Sequence, residues 1–389
     1  MTGCDEAEFG FEGATFDSRL VKPGMLYVAL KGENVDGNDF IPKALEAGAA
    51  KVIGGDGALA ELQDLAREYR RSLKGTAVVA LTGSAGKTTT KELLKSFLST
   101  RGKTHATAGN YNNHLGLPIT ILNCPRDAEF LVLEMGSNHP GEIAALCDIA
   151  EPDSGLVTNI GTAHIEFFRT REGIAEEKGT LLARAKAFGA VPGNCDFKDA
   201  LRSECRGEFV VAGPLPQELA DAVSAVLPGA HNLSNASVAF AVASRYGVTV
   251  EDAVRSLENF ALPGSRWRRV EKNGVRFIDD TYNANPDAMK AALSTFSKLE
   301  NNGRKIAVLG DMFELGEASG RLHAEVFEFA SCLDLDAVIA VGEASSRCKC
   351  TKSFENLQKL MECAEEEFRK GDLVLLKASN AMKLGKITE

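Results

Sequence analysis

No run of this sequence approaches the roughly 18 consecutive apolar residues that a membrane-crossing helix requires. Its opening, Met1-Thr-Gly-Cys-Asp-Glu-Ala-Glu-Phe9, has neither the basic start nor the apolar stretch of a secretory leader. These two absences predict a chain that inserts into no membrane and works in the cytoplasm. Basic charge is also in short supply. Lys and Arg number 44 against 54 Asp and Glu, a net charge of −10, which excludes a nucleic-acid partner because phosphate backbones are held by basic faces. A nucleotide is not excluded, since one loop and one lysine can hold its phosphates locally. The nine cysteines include no Cys-x-x-Cys pair, and Cys348 and Cys350, one residue apart, suit neither common zinc spacing. Reduced cysteines in a cytoplasm are the expectation. There is no Pro- or Ser-rich linker, internal repeat or low-complexity segment, so domain boundaries have to be read from changes of pattern.

What is present is enough apolar sequence, 44% of 389 residues, for two or three domains with their own cores. The most informative stretch runs from Ala77 to Thr90: an apolar strand, a small-residue turn, then Gly86-Lys-Thr opening a helix through about Ser99. Strand before and helix after is the context a phosphate-binding loop requires. Its backbone N–H groups and the positive helix end can cradle polyphosphate oxygens, with Lys87 reaching the outer phosphates and the Thr88 hydroxyl holding a magnesium ion. The general pattern places a glycine where this chain has Leu81; the additional glycine here is Gly83.

Residues 1–74 read as a small α/β unit, with strands at Met25–Leu30 and Ala50–Ile53 and helices at Asp39–Ala49 and Glu61–Ser72. Residues 75–262 form a second unit. Its short apolar runs at Phe130–Met135 and Gly155–Ile160 have the character of parallel strands buried on both faces. A third unit, 263–389, offers strands at Val275–Asp279, Lys305–Gly310, Ala337–Gly342 and Leu373–Lys377, with helices from Pro286, Gly320 and Phe354. The expected fold is α/β in three domains: a small N-terminal domain, a central P-loop ATPase-type parallel sheet and a C-terminal Rossmann-like domain. Polar residues gather where such sheets do their chemistry, after the strands: Glu134, Asn138 and His139, then Asn159, Thr162 and His164. A loop threonine, a strand-end glutamate and a strand-end histidine are the donors that magnesium sites beside a triphosphate use.

The sequence resembles the Mur ligase family over about Thr15 to Lys377. The loop form Thr-Gly-Ser-x-Gly-Lys-Thr-Thr-Thr-Lys matches Thr82 to Lys91 and accounts for Leu81. Further matches follow in order. They are Gly109-Asn-Tyr-Asn-Asn-His-Leu-Gly-Leu-Pro118, Glu134-Met-Gly-Ser-Asn-His-Pro-Gly-Glu-Ile143, Asn159-Ile-Gly-Thr-Ala-His-Ile-Glu166 and Glu177-Lys-Gly179. Then come His231-Asn-Leu-Ser-Asn-Ala236, Asp279-Asp-Thr-Tyr-Asn-Ala-Asn-Pro-Asp287 and Gly310-Asp-Met-Phe-Glu-Leu-Gly316. The Asp279–Asp287 string is similar to that of the branch adding D-alanyl-D-alanine. The Tyr-Ala-His-(Thr/Lys)-Pro and Asp-Asn-Pro-Arg strings of the diaminopimelate- or lysine-adding branch are missing. So is the Gly-Thr-Asn-Gly-Lys loop of the folate-polyglutamate and cyanophycin-type enzymes.

The resemblance implies an ATP-dependent amide-forming ligase of peptidoglycan precursor synthesis. It would join D-alanyl-D-alanine to UDP-N-acetylmuramoyl-tripeptide through an acyl phosphate, as a monomer. It implies catalytic roles for Lys87, Glu134, His164 and Lys178, and two magnesium ions held by Thr88, Glu134, His164 and a Lys178 carbamylated by CO₂. ATP contacts would come from Gly83, Ser84, Ala85, Gly86, Lys87, Thr88, Thr89, Asn232, Asn235, Arg266, Asp280 and Asn283. Substrate contacts would come from Ser18, Arg19, Asn112 and Asn113, with the N-terminal domain taking the UDP portion. Without the resemblance, Lys178 among Glu176, Glu177 and Arg184 would read as an exposed helix lysine, and a regulatory nucleotide binder would be the competing function. Three departures from the family pattern stand out: little sequence before the Asp17-Ser-Arg19 region, a short segment between Lys178 and His231, and Lys377-Ala-Ser-Asn380 where the family has Lys-Gly-Ser-Arg.

Overall fold

The computed structural model describes residues 9–32 and 35–389; the acidic opening read above, with Cys4, lies outside them. Three sheets succeed one another along the chain. β1 (Ala14–Thr15), β2 (Leu26–Val28) and β3 (Lys51–Ile53) form a small parallel sheet in that order. The central sheet contains β4 (Ala77–Thr82), β5 (Thr104–Ala106), β6 (Phe130–Glu134), β7 (Ser154–Val157), β8 (Phe188–Pro192) and β9 (Glu208–Ala212). Its order is β5-β6-β4-β7-β8-β9, parallel throughout. The third sheet contains β10 (Arg268–Lys272), β11 (Val275–Asp279), β12 (Lys305–Gly310), β13 (Ala337–Val341), β14 (Lys352–Phe354) and β15 (Leu373–Lys377), in the order β10-β11-β15-β12-β13-β14. It is parallel except for β10, which runs antiparallel to β11.

The central order places the chemistry. Strand β4 lies between β6 and β7; the connection leaving β4 runs toward β5 and the one leaving β7 runs the other way to β8, which opens a crevice beyond their carboxyl ends. The loops after β4, β6 and β7 leave side by side into that crevice. Leu81 is fully buried inside β4, which continues through Thr82 before the turn begins. A glycine at 81 would weaken a core strand and add nothing to the loop.

One core crosses from the N-terminal sheet into the central unit. The helix Ala58–Ser72 lays Leu62, Ala66 and Tyr69 against Leu117 and Ile121 of helix Gly116–Leu122 and against Leu146 and Ile149 of helix Glu142–Ala150. Tyr69 donates its hydroxyl to the Cys124 carbonyl at 2.8 Å, and Arg70 donates to the Ala150 carbonyl at 2.9 Å. Burying three such side chains contributes about 1.5–3 kcal/mol each for the large ones, ample to hold the first two units together.

Several expectations need correction. Phe354 does not open a helix: it ends β14, an edge strand beside β13, and the next helix runs Leu357–Glu362 with Asn356 as its cap. Asn356 accepts from the Lys359 N–H at 3.1 Å, a signal that places the start two residues later than an apolar pattern suggests. The helix expected over Asp39–Ala49 is shorter, Ile41–Glu46, because Asp36 caps a 3₁₀ turn over Gly37–Phe40 before it and Gly48 takes a φ of 92° after it. Strand β7 ends at Val157, which releases Thr158–Gly161 for the loop described below. Strand β10 went unread because Arg268-Arg-Val-Glu-Lys272 is a charged edge strand. Among the described residues no helix is long and apolar enough to cross a membrane.

Candidate active site

The turn after β4 is built by close approach. Gly83 (φ 152°) passes so near the end of β7 that a β-carbon there would overlap the Thr158 hydroxyl. Gly86 (φ 77°) precedes the helix Lys87–Leu98, and a β-carbon on it would lie 2.5 Å from Asn235 Oδ1. Glycine is the residue that permits both the backbone angle and the contact. Residues after β7 then pin the turn. Ala85 N donates to Asn159 Oδ1 at 2.8 Å, Thr158 Oγ1 to the Ala85 carbonyl at 2.6 Å, and Gly161 N to Ser84 Oγ at 2.9 Å. Lys87 folds back onto the Gly83 carbonyl at 2.7 Å. Enclosure by the cleft walls pushes its ammonium pKa down, and Arg266 pushes the same way against Glu134.

A cleft of about 660 Å³ opens from this turn toward the third sheet. Its walls bring together Ser84, Ala85, Gly86, Lys87, Thr88, Thr89, Asn112, Asn113, Glu134, His164, Asn232, Asn235, Arg266, Asp280 and Asn283. Gly83 lies at its base through the Lys87 contact. Ser18 and Arg19 are not part of it: they lie on the N-terminal unit, where Arg19 is exposed and held by Asp17 at 2.7 Å, an arrangement that keeps the Asp17 carboxyl down at about 2.

Glu134 ends β6 almost fully buried. Asn112 Nδ2 donates to its Oε1 at 2.9 Å, and the Glu134 N–H donates to Thr107 Oγ1 at 3.0 Å. Its other oxygen, Oε2, is buried with no partner among the described residues. An orphaned carboxylate oxygen facing a cleft that also holds Thr88 and His164 is an unpaired acceptor of the kind a hard cation binds. The donor set therefore fits magnesium. Asn113 is spent otherwise, accepting from the N–H groups of Leu115 (3.1 Å) and Gly116 (3.0 Å) to cap the following helix.

Lys178 lies on helix Arg171–Arg184 and is 1% exposed, which removes the exposed-lysine alternative. Its ammonium nitrogen reaches Ser137 Oγ at 3.4 Å, and Ser137 lines the cleft. The adjacent Glu177 does not neutralise it. Glu177 accepts from Gly141 N (2.7 Å) and Ile143 N (2.8 Å), capping helix Glu142–Ala150. Burial, with Lys87 adding to it, lowers the Lys178 pKa from 10.5 to about 7 against weaker pulls from Glu177 and Glu142.

The third unit reaches into the same cleft. Arg266 lies over the Tyr282 ring, 3.3 Å from its centroid, and donates to Thr88 Oγ1 at 3.2 Å. Buried Lys377 donates to Asp280 Oδ2 at 2.6 Å and to the Asn283 carbonyl at 3.2 Å. Asn232 donates to the Pro228 carbonyl at 2.9 Å, which fixes its helix end. Asn380 is exposed at the start of a short turn, so the altered Lys377–Asn380 segment keeps its two anchoring members, Lys377 and Ser379, and varies at a solvent position.

Two residues that reach across to the central unit were not singled out from the sequence: Asp287 and Glu314. Asp287 Oδ2 accepts from Thr162 N (3.1 Å) and Thr162 Oγ1 (3.3 Å), and Glu314 Oε2 lies 2.6 Å from His164 Nδ1. Both occur in the ordered motifs, but only packing between units decides which member of a motif reaches across. The usable signal was a glutamate between Phe313 and Gly316 in a loop otherwise suited to a turn.

Comparison with known proteins bears on the family and the fold. Residues 11–81 match the Mur ligase family catalytic domain, 81–209 the Mur ligase middle domain and 265–380 the Mur ligase glutamate ligase domain. A UDP-N-acetylmuramoyl-tripeptide–D-alanyl-D-alanine ligase of Bacillus subtilis is 34% identical over 97% of this chain and 92% of its own. The Escherichia coli ligase of that name is 32% identical over 87% and 83%. The crystal structure of MurF from Thermotoga maritima in complex with ADP superposes with a TM-score of 0.82 at 31% identity, covering 98% of this chain and 97% of that one. MurF from Acinetobacter baumannii gives 0.82 at 28% identity, over 96% and 92%. The three-domain α/β fold and the matches along nearly the whole length establish that the chain belongs to the Mur ligase family.

Proposed function

We propose that this chain is an ATP-dependent ligase that joins D-alanyl-D-alanine to UDP-N-acetylmuramoyl-tripeptide in peptidoglycan precursor synthesis, acting as a cytoplasmic monomer. The observation that carries the reading is the buried, unpartnered Glu134 oxygen in one cleft with Lys87, Thr88 and His164, with Lys178 just behind.

The reaction brings a peptide carboxylate onto the γ-phosphorus of ATP, releasing ADP and leaving an acyl phosphate. The amine of the dipeptide then adds to the acyl carbon, loses a proton, and phosphate departs as the amide forms. Two anions have to meet, so the protein's contribution is cationic and positional. Lys87 exchanges the Gly83 carbonyl for phosphate oxygens, and the turn's N–H groups hold the rest. Thr88 and Glu134 would hold one magnesium, and His164 with carbamylated Lys178 a second; these ions would supply positive charge between the reacting groups. Carbamylation requires a neutral amine, because the nitrogen lone pair attacks CO₂ and sheds a proton. A lysine with a pKa of about 7 is half neutral at neutral pH, which an exposed lysine is not. Arg266, resting on Tyr282 and touching Thr88, brings a third-unit cation to the phosphates when the units close, and closure excludes water that would hydrolyse the acyl phosphate.

The test is phosphate release from ATP and Mg²⁺ in the presence of UDP-muramoyl-tripeptide and D-alanyl-D-alanine, dependent on every component. Release with diaminopimelate and the shorter UDP-muramoyl-dipeptide instead would move the assignment to the neighbouring branch. ATP binding without product from any muramoyl peptide would leave a nucleotide-binding protein.

A further inference from the structure

We propose that Glu314 is a positioning residue for His164: the third unit delivers its carboxylate to His164 Nδ1, fixes the ring's tautomer, and leaves Nε2 free to face the cleft. This rests on the proposed ligase reading for the role of His164. The placement of Glu314 stands on its own observations.

Among the described residues no side chain or backbone group of its own unit hydrogen-bonds the His164 ring. It occupies a left-handed backbone position (φ 59°) between a loop and a four-residue helix, Ile165–Phe168. Its Nδ1 is buried and meets no hydrogen-bond acceptor along its N–H direction. The group that does approach is Glu314 Oε2, 2.6 Å away but well to one side of that direction. Rotation of the ring or of the carboxylate turns this approach into a carboxylate–imidazole hydrogen bond. That partner on one ring nitrogen assigns the proton to it and frees the other nitrogen, the arrangement by which second partners orient histidines at cation sites.

Glu314 is presented by a loop held from three directions. The Asp311 carboxylate accepts from Ser345 N at 2.8 Å, Met312 N donates to His323 Nε2 at 2.9 Å, and Phe313 N donates to Ser379 Oγ at 3.0 Å. His323 is buried, and its Nδ1 lies 2.8 Å from the Ser319 carbonyl, which fixes it as acceptor toward Met312. So anchored a loop gives Glu314 one place to be. Its own backbone is left-handed (φ 62°), where glycine or asparagine is the easy choice and glutamate is not. A strained, half-exposed glutamate aimed at a histidine of another unit is accounted for by that contact. Asp287 grips Thr162 two residues earlier, so the third unit holds the histidine loop at two points.

Full-length protein with ¹⁵N-histidine, one of six histidines assigned through His164→Ala, gives the tautomer directly from ring ¹⁵N shifts. The wild-type ring is expected to carry its proton on Nδ1, and Glu314→Ala and Glu314→Gly to shift it toward the Nε2–H form or a mixture. Glu314→Gln, which keeps an acceptor, is expected to retain much of the Nδ1–H form. Glu314→Gly relieves the backbone angle, so its thermal midpoint should equal or exceed wild type while kcat falls about 10–100-fold with KM for ATP within a factor of about two. An unchanged His164 tautomer in both Glu314→Ala and Glu314→Gly overturns the proposal. So does a kcat within twofold of wild type in an active enzyme. If the wild type joins no peptide at all, the ligase reading fails, and the tautomer measurement still decides whether Glu314 positions His164.

Discussion

Replacing Lys178 by methionine should stabilise the central unit, and the size of the gain follows from its surroundings. The side chain is 1% exposed, its nitrogen has Ser137 Oγ at 3.4 Å and the Phe168 ring at 6.0 Å, and no carboxylate pairs with it among the described residues. Its pKa falls from 10.5 to about 7 on folding. At about 1.4 kcal/mol per pH unit, that difference of 3.5 is a folding penalty of about 5 kcal/mol when the group is charged in both states. The sign runs with pH as follows. Below about 7 both folded and unfolded chains carry the proton and the penalty is complete. Between about 7 and 10.5 the unfolded chain holds more protons than the folded one, so wild-type stability rises with pH. Lys178→Met has similar length and no charge, and should lack that rise. At pH 6 in CO₂-stripped buffer the variant should melt higher by on the order of 10 °C for a unit of this size. Because three units need not unfold together, hydrogen exchange in helix Arg171–Arg184 should report the same difference locally. Bicarbonate at pH 8 should stabilise wild type and leave Lys178→Met unchanged, since only an amine forms a carbamate. A variant that melts at or below wild type at pH 6, with a parallel pH trend, refutes the burial argument.

Gly83→Ala should lower central-unit stability by about 2–4 kcal/mol, through overlap with the Thr158 hydroxyl and the glycine-favouring φ, and cut nucleotide affinity more than tenfold. Adding Thr158→Ala should recover part of both in denaturant titration and nucleotide binding, because the nearest overlapping atom is gone. Glu134→Gln keeps an oxygen for Asn112 but removes the charge of the carboxylate whose other oxygen is unpaired. Mn²⁺ binding with a non-hydrolysable ATP analogue, followed by electron paramagnetic resonance, should weaken at least tenfold; unchanged binding places the cation elsewhere. Arg266→Lys keeps the charge but loses the stack on Tyr282 and the fork toward Thr88, so kcat should fall about 10–100-fold while nucleotide affinity moves less. Equal losses in both would make Arg266 a ground-state contact.

The parts legible in the sequence were those governed by local rules. Strand β4, its turn and the following helix announce themselves by apolar run, glycines and small residues. The strand-end positions of Glu134 and His164 follow from parallel-sheet topology. Charged edge strands gave no such signal: β10 and the Lys352–Phe354 strand pair on one side only and carry few apolar residues. The burial of Lys178 was hidden because helix Arg171–Arg184 is mostly polar, while its neighbours Ile174, Leu181 and Leu182 are buried. Nor could one chain segment disclose that Glu177 is used up as a cap for Glu142–Ala150, which leaves Lys178 uncompensated. Contacts between units, Asp287 to Thr162 and Glu314 to His164, depend on tertiary packing and have no local pattern.

The single core running through helix Ala58–Ser72 makes the first two units a gauge. If the substrate is anchored near Ser18, in the 3₁₀ turn Ser18–Leu20 beside the small sheet, and reacts near Lys87, it has to bridge a span that packing does not let vary. Each peptide residue adds at most about 3.3–3.6 Å of reach, so a stem one residue short stops well outside bonding distance of the phosphate, and one residue long has to buckle. Length discrimination would then come from the stiffness of Leu62, Ala66 and Tyr69 against their neighbours, far from any atom that reacts. Loosening that seam, by Leu62→Ala for instance, should blur the preference for tripeptide over dipeptide stems before it slows the chemistry.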